Sequence, residues 1–186
     1  MESLFIRQVI EGNISKFSYF VESYKDMAYS IAFRIINNSQ DAEEVVQDSF
    51  LKAYKSLNKF RHDSKFSTWF YKIVVNYSLT KIKKKRIEDL SNLDNAENIN
   101  IETVESVYKN LTLEDQKKYI NSALDELKPE DRLILTLYYL NENSTEEVSE
   151  ITSIKKENIK MKLLRARKKM LIKLNEELKS ETKNIL

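Results

Sequence analysis

The chain has no cysteine and, among 186 residues, one glycine (Gly12), one proline (Pro129) and one histidine (His62). Without cysteine there can be no disulfide, thiolate metal ligand or cysteine nucleophile. A single glycine leaves no glycine-rich loop to cradle a phosphate, and few of the sharp reversals that hairpins need. His62 has no Glu-x-x-His partner of the kind that two-metal helical bundles use, and no serine has a histidine placed to activate it. Neither a metal, a cofactor nor catalysis is expected. Nowhere are about 18 apolar residues consecutive, and acids and polar residues interrupt the N-terminal MESLFIRQVIEGN. These features predict a cytoplasmic protein without membrane insertion.

What is present is Lys, Glu, Leu, Ile and Asn in abundance, a composition of helices. The net charge of +2 hides strong patterning. Between Ile87 and Asp115 eight acids face Lys109 alone, a net −7, whereas between Lys155 and Lys173 nine bases face Glu157 alone, a net +8. A second basic group, Lys81, Lys83, Lys84, Lys85 and Arg86, follows directly behind Phe66, Trp69, Phe70, Tyr71 and Tyr77. Two basic poles around an acidic middle suit polyanion contact at the poles and a solvated or polyanion-mimicking connector between them.

Apolar spacing of three and four from Phe17 to Ile35 predicts a core helix, preceded by another that breaks near Gly12 and Asn13. Asn37 and Asn38 predict a turn, with Ser39 as N-cap of a helix whose Val46, Phe50, Ala53 and Leu57 face inward. Glu44, Gln47 and Asp48 gather on the opposite side of that helix. After a polar loop from Asn58 to Ser67, a helix is expected to run to about Arg86. At 100° per residue, Phe66, Phe70, Ile73, Val74 and Tyr77 share one sector, while Trp69, Lys72, Asn76, Thr80 and Lys83 share a neighbouring one. The first sector reads as core. Trp69 stands between two roles, packing or stacking on unpaired bases beside an amide and cations.

The acidic, Asn-rich stretch lacks helical periodicity and reads as a linker. Beyond it, helices are expected over Leu113 to Leu127 and Glu130 to Leu140, with Pro129 near the start of the second. Ser144 and Glu147 form an S-x-x-E capping box for a short helix. A turn through Thr152, Ser153 and Ile154 leads to a basic helix with Ile159, Leu163, Ala166, Met170 and Leu174 inward, extending only briefly past Leu174. Short helix, brief turn and basic helix make a helix-turn-helix pattern that fits a major groove. The fold class expected is all-α, as two small helical domains, residues 1–86 and 113–186, joined by an acidic linker over 87–112.

DAEEVVQDSFLKAYKSLNKFRHDSKFSTWFYKIVVN resembles region two of bacterial sigma factors, particularly the compact extracytoplasmic-function group, and LKPEDRLILTLYYLNENSTEEVSEITSIKKENIKMKLLRARKKM resembles their region four. The resemblance implies a transcription initiation factor that binds core RNA polymerase, melts and reads the minus-ten element through region two, and binds the minus-thirty-five element through region four. It assigns polymerase docking to Glu44, Gln47 and Asp48. Minus-ten contacts fall to Phe60, Arg61, His62, Asp63, Ser64, Lys65, Phe66, Ser67, Trp69 and Asn76, and the helix sector shared with Trp69 adds Lys72, Thr80 and Lys83. Minus-thirty-five contacts fall to Lys155, Glu157, Asn158, Lys160, Met161, Leu164 and Arg165. Control by an anti-sigma factor is common in the family. The family usually has Gly where this chain has Ser153 and a capping Ser where it has Lys155, so a looser turn is expected. Glu157 would repel phosphate and can accept from cytosine. The rival reading is a stand-alone helix-turn-helix regulator that binds duplex without polymerase.

Overall fold

The computed structural model describes residues 1–88 and 112–184, with side chains described for 1–84 and 112–178. Most of the expected acidic linker, and the side chains of Lys85 and Arg86, lie outside the described residues. Within them all regular structure is helical: α1 (Glu2–Ile10), α2 (Ser18–Ile36), α3 (Ser39–Ser56), α4 (Phe66–Glu88), α5 (Leu113–Asp125), α6 (Pro129–Leu135), α7 (Thr145–Thr152) and α8 (Lys156–Asn184).

Gly12, at φ +104°, makes the reversal after α1, a backbone region open to glycine and costly to other residues. A 3-10 turn over Ile14–Phe17 then feeds α2. Asn37 closes α2 in the left-handed region at φ 55°, and Asn38, not Ser39, caps α3. The Asn38 side chain accepts from the Asp41 amide at 2.9 Å, because its extended backbone puts the amide oxygen over the first turn, while Ser39 is already helical.

The first half is built on aromatic packing. Phe20, Phe66 and Phe70 are fully buried, with ring centroids 4.4 Å apart for Phe20 and Phe66 and 4.5 Å for Phe50 and Phe70. Phe66, Phe70 and Val74 lie on the sector expected to be core. Thr68, Tyr71, Val75 and Ser78, on other sides of the same helix, are buried too. The reason is that α4 is enclosed by α2, by α3 and, from the second half of the chain, by α7.

In the second half, Thr112 caps α5 by accepting from the Asp115 amide, and Pro129 opens α6 with Glu130 and Asp131 behind it in the positive first turn. The helix expected to reach Leu140 changes to a π-turn over Thr136–Leu140. The Asn143 backbone amide and its side chain both donate to the Leu137 carbonyl, each at 3.1 Å, closing the end of the widened turn. The tail contradicts the expectation of a brief extension, since α8 continues to Asn184. Packing against α5 is the cause: Asn175 and Leu178 are buried, and Ser122 donates to Glu177 across the pair.

The halves do not stand apart. Helix α2 packs on α6, α4 on α7, and one continuous apolar cluster runs from Ile6 to Ala166. Arg34, on α2, reaches across to donate to Asp125 at 3.0 Å and to Asn121, both on α5.

Candidate nucleic-acid interface

Three surfaces gather the sequence-predicted residues. On α3, Glu44, Gln47 and Asp48 are all exposed, while Ala42, Val45 and Ser49 behind them are buried. Glu44 is not free: Lys81 of α4 donates to it at 2.7 Å and lies 3.3 Å from Asp41. The hydrogen bond to Glu44 holds the Lys81 ammonium pKa above its ordinary value, and burial opposes this only in part. Asp41, Glu44 and Asp48 share a groove of about 510 Å³ with Tyr77, Thr80, Lys81 and Lys84 of α4. Thr80, expected beside DNA, therefore borders the acidic face. Sequence reasoning missed Lys81 as the tie between the two helices, although it stands at the head of the basic run.

The second surface is the loop before α4 and the helix it enters. Arg61, His62, Asp63 and Lys65 are exposed, Ser64 and Ser67 are half-buried, and Phe60 and Phe66 are buried. Arg61 pairs with Asp63 at 3.0 Å, and His62 sits in the left-handed region at φ 61° with its ring 4.6 Å from that of Phe60. Trp69 is half-buried. Its ring packs on Phe60 at 5.3 Å and on Phe66 at 5.6 Å, so one side is held by core aromatics. Lys72 is half-buried, and Asn76, Thr80 and Lys83 are exposed along the same strip. The indole is thus anchored by packing and still partly presented to solvent. Phe60, His62, Ser64, Lys65 and Phe66 also line a cleft of about 220 Å³ whose other wall is Glu2, Ser3 and Ile6 of α1. No signal in the sequence placed α1 there. It is pinned by Tyr24, which donates to Glu2 across the α1–α2 pair and whose phenol pKa is raised, first by burial and then by that bond.

The third surface is α8. Lys155, Glu157, Asn158, Lys160, Met161, Leu164 and Arg165 are all exposed, while Ile159, Leu163 and Ala166 on the inner side are buried. The basic run divides by partner. Lys156 pairs with Glu146 of α7, Lys162 with Glu130 at 2.7 Å and Lys169 with Asp131 at 2.6 Å. The Lys156 ammonium holds the Glu146 carboxyl down to about 2. Lys173 pairs with Glu126 at 4.0 Å and with Glu176 at 3.1 Å, while Lys155, Lys160, Arg165, Arg167 and Lys168 form no ion pair among the described residues and are all exposed.

The turn before α8 is tight rather than loose. Ser153 adopts φ 59°, the conformation for which glycine is favoured, and is held on both sides. Ser149 Oγ donates to the Ile154 carbonyl at 2.6 Å, and the Ile154 amide donates to Thr152 Oγ1 at 3.3 Å. The capping box at Ser144 is complete, with the Glu147 amide donating to Ser144 Oγ at 3.2 Å and the Ser144 amide donating to the Glu147 carboxylate at 2.8 Å.

Comparison with known proteins places this geometry. The chain matches the model of Sigma-70 region 2 over residues 20–87 and that of Sigma-70 region 4 over residues 117–170. It is 31% identical over 173 residues to the ECF RNA polymerase sigma-E factor of Escherichia coli strain K12, covering 89% of this chain and 90% of that one. It is 27% identical over 169 residues to the ECF RNA polymerase sigma factor SigW of Bacillus subtilis, covering 87% and 90%. Two solved structures share the fold. CnrH in complex with the cytosolic domain of CnrY aligns at a TM-score of 0.65 and 19% identity, over 93% of this chain and 96% of that one. The sigma factor RpoE in complex with the anti-sigma factor NepR from Bartonella quintana aligns at 0.64 and 24%, over 86% and 96%.

Because an L-residue in the left-handed region costs about 1–2 kcal/mol, partly offset by the unfolded-state entropy of glycine, Ser153→Gly is expected to stabilise the protein. The expected gain is about 0.5–1 kcal/mol by urea unfolding; a loss would mean that the Ser153 side chain supports the turn.

Proposed function

We infer the roles below from one premise: the chain belongs to the sigma-70 family, in its extracytoplasmic-function group. It is a transcription initiation factor that binds RNA polymerase and directs it to promoters. Residues 1–86 act as region two, 87–112 as connector and 113–186 as region four, in the cytoplasm where the polymerase works.

The observation that carries the assignment of the DNA-reading surface is the two-sided character of α8. Its inner side is buried against α6 and α7, its outer side is exposed, and its unpaired cations lie on that outer side. A rigid helix presented in this way can enter a major groove, with Lys160 and Arg165 displacing phosphate counterions and Glu157 able to accept from a cytosine amine. The duplex is the upstream element. Trp69 supports the second role. An indole clamped by Phe60 and Phe66 loses little entropy on stacking against an extruded base of the minus-ten element. Lys72, Asn76 and Lys83 then line the path of the strand's phosphates and base edges, and the cleft beside Phe60, His62 and Lys65 offers a flipped base a place to sit. Nothing in this chemistry requires bond making by the protein. The exposed acidic face of α3 suits docking on a basic surface of the polymerase. The anti-sigma complex of a protein with the same fold makes an inhibitory partner a natural expectation for this chain.

Run-off transcription with purified core polymerase tests the whole reading, and three variants separate its parts. Trp69→Ala is expected to keep upstream duplex binding while weakening promoter opening by about 1–3 kcal/mol; equal loss at both steps would make Trp69 a packing residue only. Asp48→Lys should lower affinity for core polymerase about tenfold, and unchanged affinity would remove the docking face. Lys160→Ala should weaken upstream binding and reduce its salt dependence by about one counterion. An unaltered salt slope would show that Lys160 meets no phosphate.

A further inference from the structure

The outer side of α8 is not uniformly charged. Between Lys155 and Lys168 its exposed positions carry charged or amide side chains with two exceptions, Met161 at 50% exposure and Leu164 at 51%. At about 100° per residue, Met161, Leu164 and Lys168 fall within about 40° of Glu157, so the four form one line along the helix. Ile159, Leu163 and Ala166, all buried, lie on the opposite side. Lys160 stands about 60° to one side of the line and Arg165 about 80° to the other. The line furthest from the core thus begins with an acid and continues with two large apolar side chains, and cations flank it.

A scattered apolar residue on a surface needs no explanation. Here two stand at i and i+3 on the line that enters a groove first, and the ion pairs of Lys156, Lys162 and Lys169 hold the helix in that orientation. Leu has no donor or acceptor and Met only a weakly accepting thioether, so neither can read the polar edges of bases. What a major groove offers to an apolar side chain is the C5-methyl group of thymine.

We propose that Met161 and Leu164 are specificity-determining residues that read the methyl groups of two neighbouring thymines in the upstream element. This rests on the duplex-binding role given to α8 above and adds which bases the helix selects. Spacing sets the register. From Met161 to Leu164 the helix rises about 4.5 Å, little more than one base-pair step of about 3.4 Å, so the two methyls belong to adjacent pairs. From Glu157 to Met161 the rise is about 6 Å, close to two steps, which puts the cytosine amine accepted by Glu157 about two pairs before the first thymine. Leu171, also exposed on this side, lies about 10 Å beyond Leu164, past the N-terminal part of a recognition helix that reaches base edges. It takes no part in the reading.

The test begins with promoter fragments randomised over the upstream element, from which the wild-type chain with core polymerase selects at one fixed salt concentration, because phosphate contacts add affinity for every sequence. Adjacent thymines with a cytosine about two pairs away are expected to be enriched. Enrichment of sequences without adjacent thymines would overturn the proposal. In the selected duplex each thymine is then replaced in turn by deoxyuridine, which removes only the methyl group. Each replacement is expected to weaken binding about fourfold, as for the burial of one methyl group. Met161→Ala should abolish that effect at one thymine and leave it at the other, and Leu164→Ala should do the reverse. Both side chains are exposed, so both variants are expected to fold. Deoxyuridine tolerated without loss would overturn the assignment. So would an equal loss in wild type and both variants, which marks an effect of the methyl on duplex shape instead. If the wild-type chain with polymerase selects no upstream sequence at all, the DNA-binding role of α8 fails, and the proposal falls with it.

Discussion

Enclosure of α4 from three directions is the constraint on which the rest of the structure depends. Its Phe66 and Phe70 fill the centre of the first half, and its Thr68 and Val75, on another side, are covered as well. The helix so held does three things along its length. At its start it carries Trp69, wedged against Phe60 and Phe66. In its later turns Tyr77, Lys81 and Lys84 form one wall of the acidic groove. Along the side facing α7 it takes the weight of the other half of the chain. Packing alone thus fixes the position of the indole.

Charge is distributed by the same logic. A net +8 run repels itself if its cations have no acids to meet. Lys156, Lys162 and Lys169 are drawn onto Glu146, Glu130 and Asp131, which orients α8 against α6 and α7. Each pair keeps at least one partner exposed, so each adds little stability. Their effect is to leave Lys160, Arg165 and Lys168 projecting on the outer side. The acids that receive the inner lysines sit in the first turns of α6 and α7, where the helix dipole already favours them.

Much of this was legible in the sequence because it is local. The capping box at Ser144 and Glu147, Pro129 at the start of α6, the break at Gly12 and the opposed faces of α3 and α8 all follow from spacings of a few residues. What was not legible depends on contact between distant segments. Asn38 and Ser39 are both good caps, and only the backbone at the end of α2 chooses between them. The length of α8 is decided by α5, some fifty residues earlier in the chain, through Ser122 and Leu178. Glu2, Ser3 and Ile6 beside the loop before α4, Lys81 between two acids, and Arg34 against Asp125 are likewise tertiary facts. The Ser153 turn is instructive in another way. A serine stands where the family usually has glycine, yet neighbouring hydroxyls hold the left-handed conformation that glycine would adopt freely.

The most direct measurement is a combined footprint on one promoter fragment with the wild-type chain and core polymerase. Nuclease protection reports the upstream duplex, and permanganate reactivity of thymines reports unstacked bases near the start site. The account predicts upstream protection and reactive thymines together, and neither with the chain alone. Opened bases without polymerase, or upstream protection with polymerase but no reactive thymine on any promoter, would contradict it.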